Sequence, residues 1–168
     1  MSLLKILNYP DPRLSKIASK VMVVDKQIKV FINNLSDTMY DAKGIGLAAT
    51  QVDFHKKIIV VDVSEDKNSL VTLINPVLIE SSGTQDTEEG CLSVPDIYEK
   101  IERFNSIKVK ALDENGKEFE IKAEGLLAVC IQHEMDHLEG KIFVEYLSLL
   151  KRDRIKRKMI KKNKKTYD

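Results

Sequence analysis

The sequence predicts an α+β fold in which mostly antiparallel strands surround one central helix and another helix ends the chain. Three observations support this: β-branched runs of strand length, an Asn115-Gly116 hairpin pattern, and an apolar helical stripe over about 126–138. With 168 residues, 43% of them hydrophobic, the chain can bury one core but not two ordinary ones. We expect one domain, with a main body at 1–150 and a basic C-terminal helix at 151–168.

The helices are predicted from apolar spacing and from caps. Apolar residues recur at helical spacing between 28 and 39, after Asp25 as an N-cap, and the pattern stops before Gly44. The central helix ends near Gly140, a typical C-cap residue. The basic helix is expected to begin near Leu147.

The strands are predicted from β-branched runs and alternation. Residues 58–63 form a β-branched run typical of a buried strand. Residues 71–79 predict another strand, in which Pro76 indicates an edge or a bulge. Alternation over 106–123 on both sides of Asn115-Gly116 predicts a hairpin.

Positive charge is concentrated at the C-terminus. Residues 151–168 contain ten Lys or Arg and two Asp, a net charge of +8; the whole chain is +1, so the other 150 residues carry −7. Such a segment is either a solvated helix end or a surface that contacts RNA phosphates, and both interpretations stay open.

The N-terminus does not resemble a signal peptide, and no apolar run approaches the roughly 20 residues of a membrane span. We therefore expect a cytoplasmic protein. Its two cysteines, Cys91 and Cys130, are too few for a disulfide framework. Each is a core filler, a metal ligand or a nucleophile.

The most informative segment is 133–137, which reads His-Glu-Met-Asp-His. On a helix, His133 and His137 share one face, and a glutamate between them is typical of a metal site with a built-in base. Both lie on the apolar stripe and should face inward. Two core histidines without a metal are the less favoured interpretation, because each buried ring would need its own polar partner.

A third metal ligand has to come from upstream. The position where some zinc proteases place a downstream histidine holds Phe143. Cys130 is on the correct helical face, but its Cβ tilts toward the helix N-terminus, so we expect it to line a pocket. Cys91 lies in segment 89–95, which we interpret as a glycine-bearing loop able to bring a thiolate to the two histidines. The expected metal ligands are Cys91, His133 and His137.

Three segments together resemble the signature motifs of bacterial peptide deformylases: Gly-Ile-Gly-Leu-Ala-Ala-Thr-Gln at 44–51, Glu-Gly-Cys-Leu-Ser at 89–93, and Gln-His-Glu-Met-Asp-His-Leu at 132–138. Their order and spacing match as well. The resemblance continues through 9–14 and the terminal helix, and the short basic C-terminus resembles the Gram-negative type.

The resemblance implies a hydrolase that removes the formyl group from N-formylmethionine on newly made polypeptides and releases formate. It implies one Fe²⁺, with Zn²⁺, Ni²⁺ or Co²⁺ able to substitute, whereas the ligand types alone would suggest zinc. The implied partners are N-formylmethionyl nascent peptides. Ribosome contact through the basic tail stays open, and neither a membrane nor DNA is expected.

Roles follow where chemistry and resemblance agree. A metal-bound hydroxide is the expected nucleophile, with Glu134 as general acid and base. The family pattern adds the Gln51 amide and the Leu92 backbone N–H as oxyanion donors. The expected substrate-binding residues form an apolar methionine slot (Ile45, Leu126, Val129, Cys130) and neighbouring backbone and loop positions (Gly44, Gly46, Glu89, Gly90). Glu89 is also expected to pair with Arg103 and so order the cysteine loop.

One segment departs from the family pattern. Close bacterial relatives often have an arginine a few residues past the proline of the second motif, where it binds the peptide. Here 96–100 reads Asp-Ile-Tyr-Glu-Lys. Peptide preference beyond the methionine is therefore not determined by the sequence.

Two other functions fit part of the pattern. A zinc endopeptidase fits segment 133–137, but its downstream ligand is missing and the chain is small. A binding module with a structural metal would need a fourth ligand, and Cys130 is the one candidate.

Overall fold

The computed structural model describes residues 2–167, and its fold is the predicted α+β fold. One antiparallel sheet contains five strands in sequential order: β1 (Gly46–Ala48), β2 (Ile58–Val61), β3 (Val71–Cys91), β4 (Val94–Leu112) and β5 (Glu118–Glu124). Three α-helices accompany it: α1 (Lys26–Asp41), α2 (Gly125–Leu138) and α3 (Leu149–Tyr167). Short 3₁₀ helices span Pro12–Ser15, Ala49–Val52 and Phe143–Tyr146.

The predicted helix ends agree with the structure. The Ile28 backbone N–H donates to Asp25 Oδ1 at 2.9 Å, so Asp25 caps α1 as predicted. Gly140 has a φ of 76° just after α2, a conformation that favours glycine at a helix end. Helix α3 begins at Leu149, two residues after its predicted start.

The strand predictions need three corrections of length, and one of them is that β4 begins at Val94 rather than at residue 106. β2 ends at Val61 because the Asp62 carboxylate accepts from Tyr40 Oη and Ser64 Oγ and starts a turn. β3 runs to Cys91 rather than to residue 79, because residues 80–88 pair with β4. These residues are polar and mostly exposed, so the sequence pattern did not mark them as a strand. Pro76 lies at a register shift between β3 and β4, so the predicted bulge is confirmed, and it follows Ile74, the last β3 residue that pairs with β2.

The segment predicted to be a cysteine loop is instead the tip of a long β-hairpin. Cys91 ends β3 and pairs with Val94 of β4, and Leu92 and Ser93 form the turn between them. Sheet pairing, rather than a free glycine loop, therefore determines where Cys91 lies. The one hairpin that was predicted, around Asn115-Gly116, joins β4 to β5 as expected.

Two packing arrangements place the functional side chains. The inner face of α2 packs on the sheet, where Ala128 and Ile131 join a buried cluster with Ile59, Leu73 and Val109. Helix α3 packs through Ile155 and Met159, which are 5% and 1% exposed, into a second cluster that includes Val94 near the hairpin tip, Ile97 and Phe143. Asp168 of the predicted tail lies outside the described residues.

Candidate metal centre and substrate cavity

The three predicted metal ligands lie together. Cys91 Sγ and one ring nitrogen from each of His133 and His137 are all within 4.8 Å of one another. Cys91 Sγ is 3.4 Å from His137 Nε2. The histidines come from one face of α2 and the thiol from the hairpin tip, so helix and sheet meet at this point.

One histidine ligand is oriented by a buried ion pair. His133 Nδ1 lies 2.8 Å from Glu89 Oε1, and because a carboxylate only accepts, Nδ1 carries the proton and Nε2 stays free for a metal. Arg103 Nε donates to Glu89 Oε2 at 2.7 Å and Nη2 donates to Oε1 at 2.9 Å. The expected Glu89–Arg103 pair is thus present, with side chains only 3% and 5% exposed.

The protonation states suit a metal site. Burial, helped by the charge of Arg103, holds the pKa of His137 well below its usual value, so its ring is neutral, as a metal ligand must be. Burial alone would raise the pKa of Glu89, but hydrogen bonds from Arg103 and His133 outweigh it and lower that pKa. Glu89 is therefore a carboxylate able to accept from His133.

Glu134 lies beside the ligands without joining them. Its side chain is buried, and Oε1 is 3.7 Å from His133 Nε2. Burial raises the pKa of Glu134 to about 7. Within residues 2–167 its Oε2 is buried and has no hydrogen-bond partner, as a group that meets a water or substrate would be.

These observations fit a bound divalent metal. A thiol and two ring nitrogens converge, one of the rings has its other nitrogen occupied by a carboxylate, and the second ring is neutral. Three protein ligands leave a further coordination position for water, as in catalytic sites. Cys130 is not part of the ligand group found among the described residues. The fourth ligand required by the structural-metal alternative is therefore not provided by Cys130.

Gln51 reaches the metal ligands from a separate element, the 3₁₀ helix Ala49–Val52. Its Nε2 donates to Ser93 Oγ at 3.0 Å and lies 3.5 Å from Cys91 Sγ. Its Oε1 accepts the Ala48 backbone N–H at 2.9 Å, which determines which side of the amide carries the donors. Ser93 was not singled out from the sequence, and only the hairpin turn brings it to Gln51.

A cavity of about 450 Å³ opens next to this centre. All eight residues predicted to bind substrate line it, together with Leu92, His133 and Glu134: Gly44, Ile45, Gly46, Glu89, Gly90, Leu126, Val129 and Cys130. Gln51 and His137 do not belong to its lining. Burial raises the pKa of Cys130, which stays a thiol and donates to the Ile45 carbonyl at 3.4 Å.

Two glycines lie in close contact with neighbouring side chains. A Cβ at Gly46 would lie 2.8 Å from Cys130 Sγ and 3.0 Å from Glu134 Cγ, so only glycine lets β1 pass this near to α2. A Cβ at Gly90 would lie 2.5 Å from Tyr98 Cε1. Tyr98 is in the segment that departs from the family pattern, and its ring lines the same cavity.

Further polar contacts surround Arg103. Its Nη1 donates to Asp136 Oδ2 at 2.6 Å, and Tyr146 Oη donates to the same oxygen at 2.8 Å. Sequence reasoning missed both partners. Asp136 could have been suspected from its position three residues after His133, on the same side of a helix.

The exposed side of α3 carries most of the basic residues of the tail. Lys151 pairs with Glu99 and Lys162 contacts Asp96, so the helix is also tied to β4 by charge. None of the helices within residues 2–167 has the length and apolar character needed to cross a bilayer.

Comparisons with known proteins agree with the motif resemblance. A model of the polypeptide deformylase family matches residues 3–153. A peptide deformylase of Polynucleobacter necessarius is 57% identical over 165 residues, which are 98% of this chain and 96% of the relative. Peptide deformylase 1 of Burkholderia multivorans is 60% identical over 162 residues, 96% of this chain and 90% of the relative.

Solved structures agree as well. A peptide deformylase from Legionella pneumophila superposes with a TM-score of 0.94 at 46% identity, covering 99% of this chain and 98% of that one. The enzyme from Ehrlichia chaffeensis, in complex with actinonin, gives 0.93 at 43% identity over 96% and 98% of the two chains. This chain therefore belongs to the polypeptide deformylase family, metal-dependent hydrolases that remove the N-formyl group from nascent peptides.

Proposed function

We propose that this chain carries out deformylation at the centre formed by Cys91, His133 and His137, converting an N-formylmethionyl peptide to formate and a free amine. The observation that supports this most is the convergence of a thiol, two imidazoles and the buried Glu134 beside an apolar cavity. No other cluster of three potential ligands is found among residues 2–167.

The native metal is proposed to be one Fe²⁺, with Zn²⁺, Ni²⁺ or Co²⁺ as substitutes. The support for iron is the family resemblance. The ligand types alone do not select one metal, because a thiolate with two imidazoles binds several of these ions. When bound, the cation would lower the pKa of a water and polarise the formyl oxygen. Metal content of protein prepared without oxygen, measured with activity for each ion, tests the assignment.

Glu134 is the proposed general base and acid. It takes a proton from the attacking water and delivers a proton to the departing amine nitrogen. Its support is positional: a buried carboxylate near His133 Nε2, with one oxygen that lacks a partner within residues 2–167.

Two donors are proposed for the oxyanion that forms as the formyl carbon becomes tetrahedral. The Gln51 side chain has its N–H groups on the Cys91 side, because its oxygen is held by the Ala48 N–H. The Leu92 backbone N–H lies at the hairpin turn next to Cys91. Donors held in place before reaction cost nothing to reorganise.

The cavity walls are proposed to bind the rest of the substrate. Ile45, Leu126, Val129 and Cys130 would contact the methionine side chain, and backbone groups at Gly44, Gly46 and Gly90 would pair with an extended peptide. The Glu89 carboxylate is occupied by Arg103 and His133, so its proposed role is to position His133.

Residues 151–168 are proposed to belong to the catalytic domain and to contact ribosomal RNA through their basic face. Burial of Ile155 and Met159 supports the first part, and the net charge supports the second. We place the protein in the cytoplasm, where new polypeptides are made. Because truncation would remove buried side chains, the test is Lys156→Gln with Lys164→Gln: ribosome binding should weaken with a smaller salt slope, while short-peptide hydrolysis stays unchanged. Unchanged binding would leave the helix as a solvated end.

The decisive experiment is formate release from formyl-Met-Ala-Ser by anaerobic, Fe²⁺-loaded protein, normalised to bound metal. We expect formate to be released from this peptide and no acetate to be released from its acetylated analogue. Cleavage of an internal peptide bond in an unblocked peptide would favour an endopeptidase. Lack of formate from fully loaded protein would refute the proposal.

A further inference from the structure

We infer that Asp136 and Tyr146 are positioning residues of the metal centre: they fix Arg103, which fixes Glu89, which fixes the ring of His133. Neither residue touches a ligand atom, so both act through the buried ion pair. The inference rests on the proposed metal-dependent function and adds two residues to the support of its centre.

Each of the three nitrogens of the Arg103 guanidinium donates a hydrogen bond. Nε and Nη2 donate to Glu89, and Nη1 donates to Asp136 at 2.6 Å. One face is covered, because Cζ lies 5.1 Å from the centre of the Tyr146 ring. A planar donor that is bound along its edges and stacked on a face has little freedom to turn.

Asp136 also affects how strongly Glu89 can accept from His133. Arg103 is shared between two carboxylates, so Glu89 does not receive its full positive charge. A more basic Glu89 is a stronger acceptor for His133 Nδ1–H, which makes Nε2 a better metal ligand. Without the negative charge of Asp136, the positive charge of Arg103 would act on Glu89 alone. Glu89 would then be a weaker acceptor for the hydrogen bond from His133 Nδ1.

Tyr146 keeps Asp136 in place. The Asp136 side chain is 22% exposed and could otherwise turn toward solvent, but Tyr146 Oη donates to its Oδ2 at 2.8 Å. Tyr146 ends the 3₁₀ helix that also contains Phe143, whose buried ring centre lies 6.1 Å from that of His133. The same short helix therefore supports His133 by packing and through the polar chain.

The test compares Asp136→Asn and Tyr146→Phe, alone and together, in the full-length protein. The readouts are the dissociation constant for Co²⁺ by chelator competition, the visible bands of bound Co²⁺, and kcat and KM for formyl-Met-Ala-Ser. Glu139→Gln is the matched control. It removes a carboxylate just past the end of the same helix, and the Glu139 side chain contacts Lys57 instead of Arg103.

We expect Asp136→Asn to raise the Co²⁺ dissociation constant roughly tenfold and Tyr146→Phe about threefold. Both should shift the visible bands, and the control should do neither. Because Tyr146 acts through Asp136, the double variant should be no worse than Asp136→Asn alone. Tyr146→Phe keeps the ring and changes no charge, so it tests the inference by itself if Asp136→Asn does not fold.

The inference would be overturned if Tyr146→Phe and Asp136→Asn both kept the wild-type Co²⁺ affinity and visible bands. It would also be overturned if Co²⁺ affinity fell while the bands stayed unshifted, or if the effects of the two substitutions added in the double variant. Failure of the proposed function looks different. In that case the wild-type protein, fully loaded with metal, would itself release no formate, whatever the variants do to Co²⁺ binding.

Discussion

Helix α2 and the tip of the β3–β4 hairpin both supply candidate metal ligands, but they place them by different physical means. His133 and His137 are one helical turn apart, so their common face follows from local backbone geometry. Cys91 reaches them only because two long strands pair along most of their length, with three register shifts, and end in a two-residue turn. The comparison teaches that a short-range motif indicates the chemistry, while long-range sheet pairing completes the site.

The two regions also differ in what holds them. Helix α2 is packed on the sheet through a buried stripe. The hairpin tip depends on elements distant in sequence: Gln51 bonded to Ser93, and the cluster in which Val94 joins residues of α3. Substitutions that change one region and leave the other intact can therefore distinguish their contributions.

The largest effect should come from removing a ligand of either region. Cys91→Ala and His137→Ala should each lose bound metal and with it detectable formate release, because two remaining side chains hold a catalytic ion poorly. Metal per chain after dialysis is the measurement, with Cys130→Ser as a cysteine control that retains metal. If Cys91→Ala kept wild-type affinity, the hairpin would not supply a ligand.

The next largest effect should come from Glu134 of α2, the proposed general base. Glu134→Gln should lower kcat roughly 10² to 10⁴-fold while metal content stays unchanged, since proton transfer is lost and the ligands are intact. Formate release at equal metal loading measures this. Turnover close to that of the wild type would refute the role of Glu134.

A smaller effect is expected for the donor that faces the hairpin tip. Gln51→Glu retains an acceptor for the Ala48 N–H but removes the amide donors, so kcat/KM should fall roughly 10² to 10³-fold. Thermal unfolding serves as the control, because retained stability attributes the loss to the missing donor. An unchanged rate would leave Gln51 with a structural role only.

The smallest effect on the chemistry should come from the support beneath the hairpin. Met159→Ala removes a buried side chain and should lower the free energy of unfolding by about 2 to 5 kcal/mol. Amide exchange should rise more in residues 91–101 than in 126–138, because α3 packs in the cluster of the hairpin tip. The neighbouring, half-exposed Ile160→Ala is the control and should stay within about 0.5 kcal/mol. Equal exchange in both segments would remove the distinction between the two regions.

Elements with local patterns were predictable, and β3 shows where this fails. The Asp25 cap and the Asn115-Gly116 turn depend on a few neighbouring residues, and both are present. The second half of β3 is polar and mostly exposed, so it lacks the alternation by which a half-buried strand is recognised. Its strand structure comes from pairing with β4, which no local pattern contains.

By itself, the sequence determined the α+β class, the helix that carries His133, Glu134 and His137, and the set of residues expected around them. Only the tertiary structure decided that Cys91 sits at a hairpin tip, that Glu89 orients His133, and that Asp136 and Tyr146 complete the contacts of Arg103. The physical reason is the range of the interactions. Helix periodicity and caps act over a few residues, whereas strand register and buried polar networks join segments that meet only when the whole chain has folded.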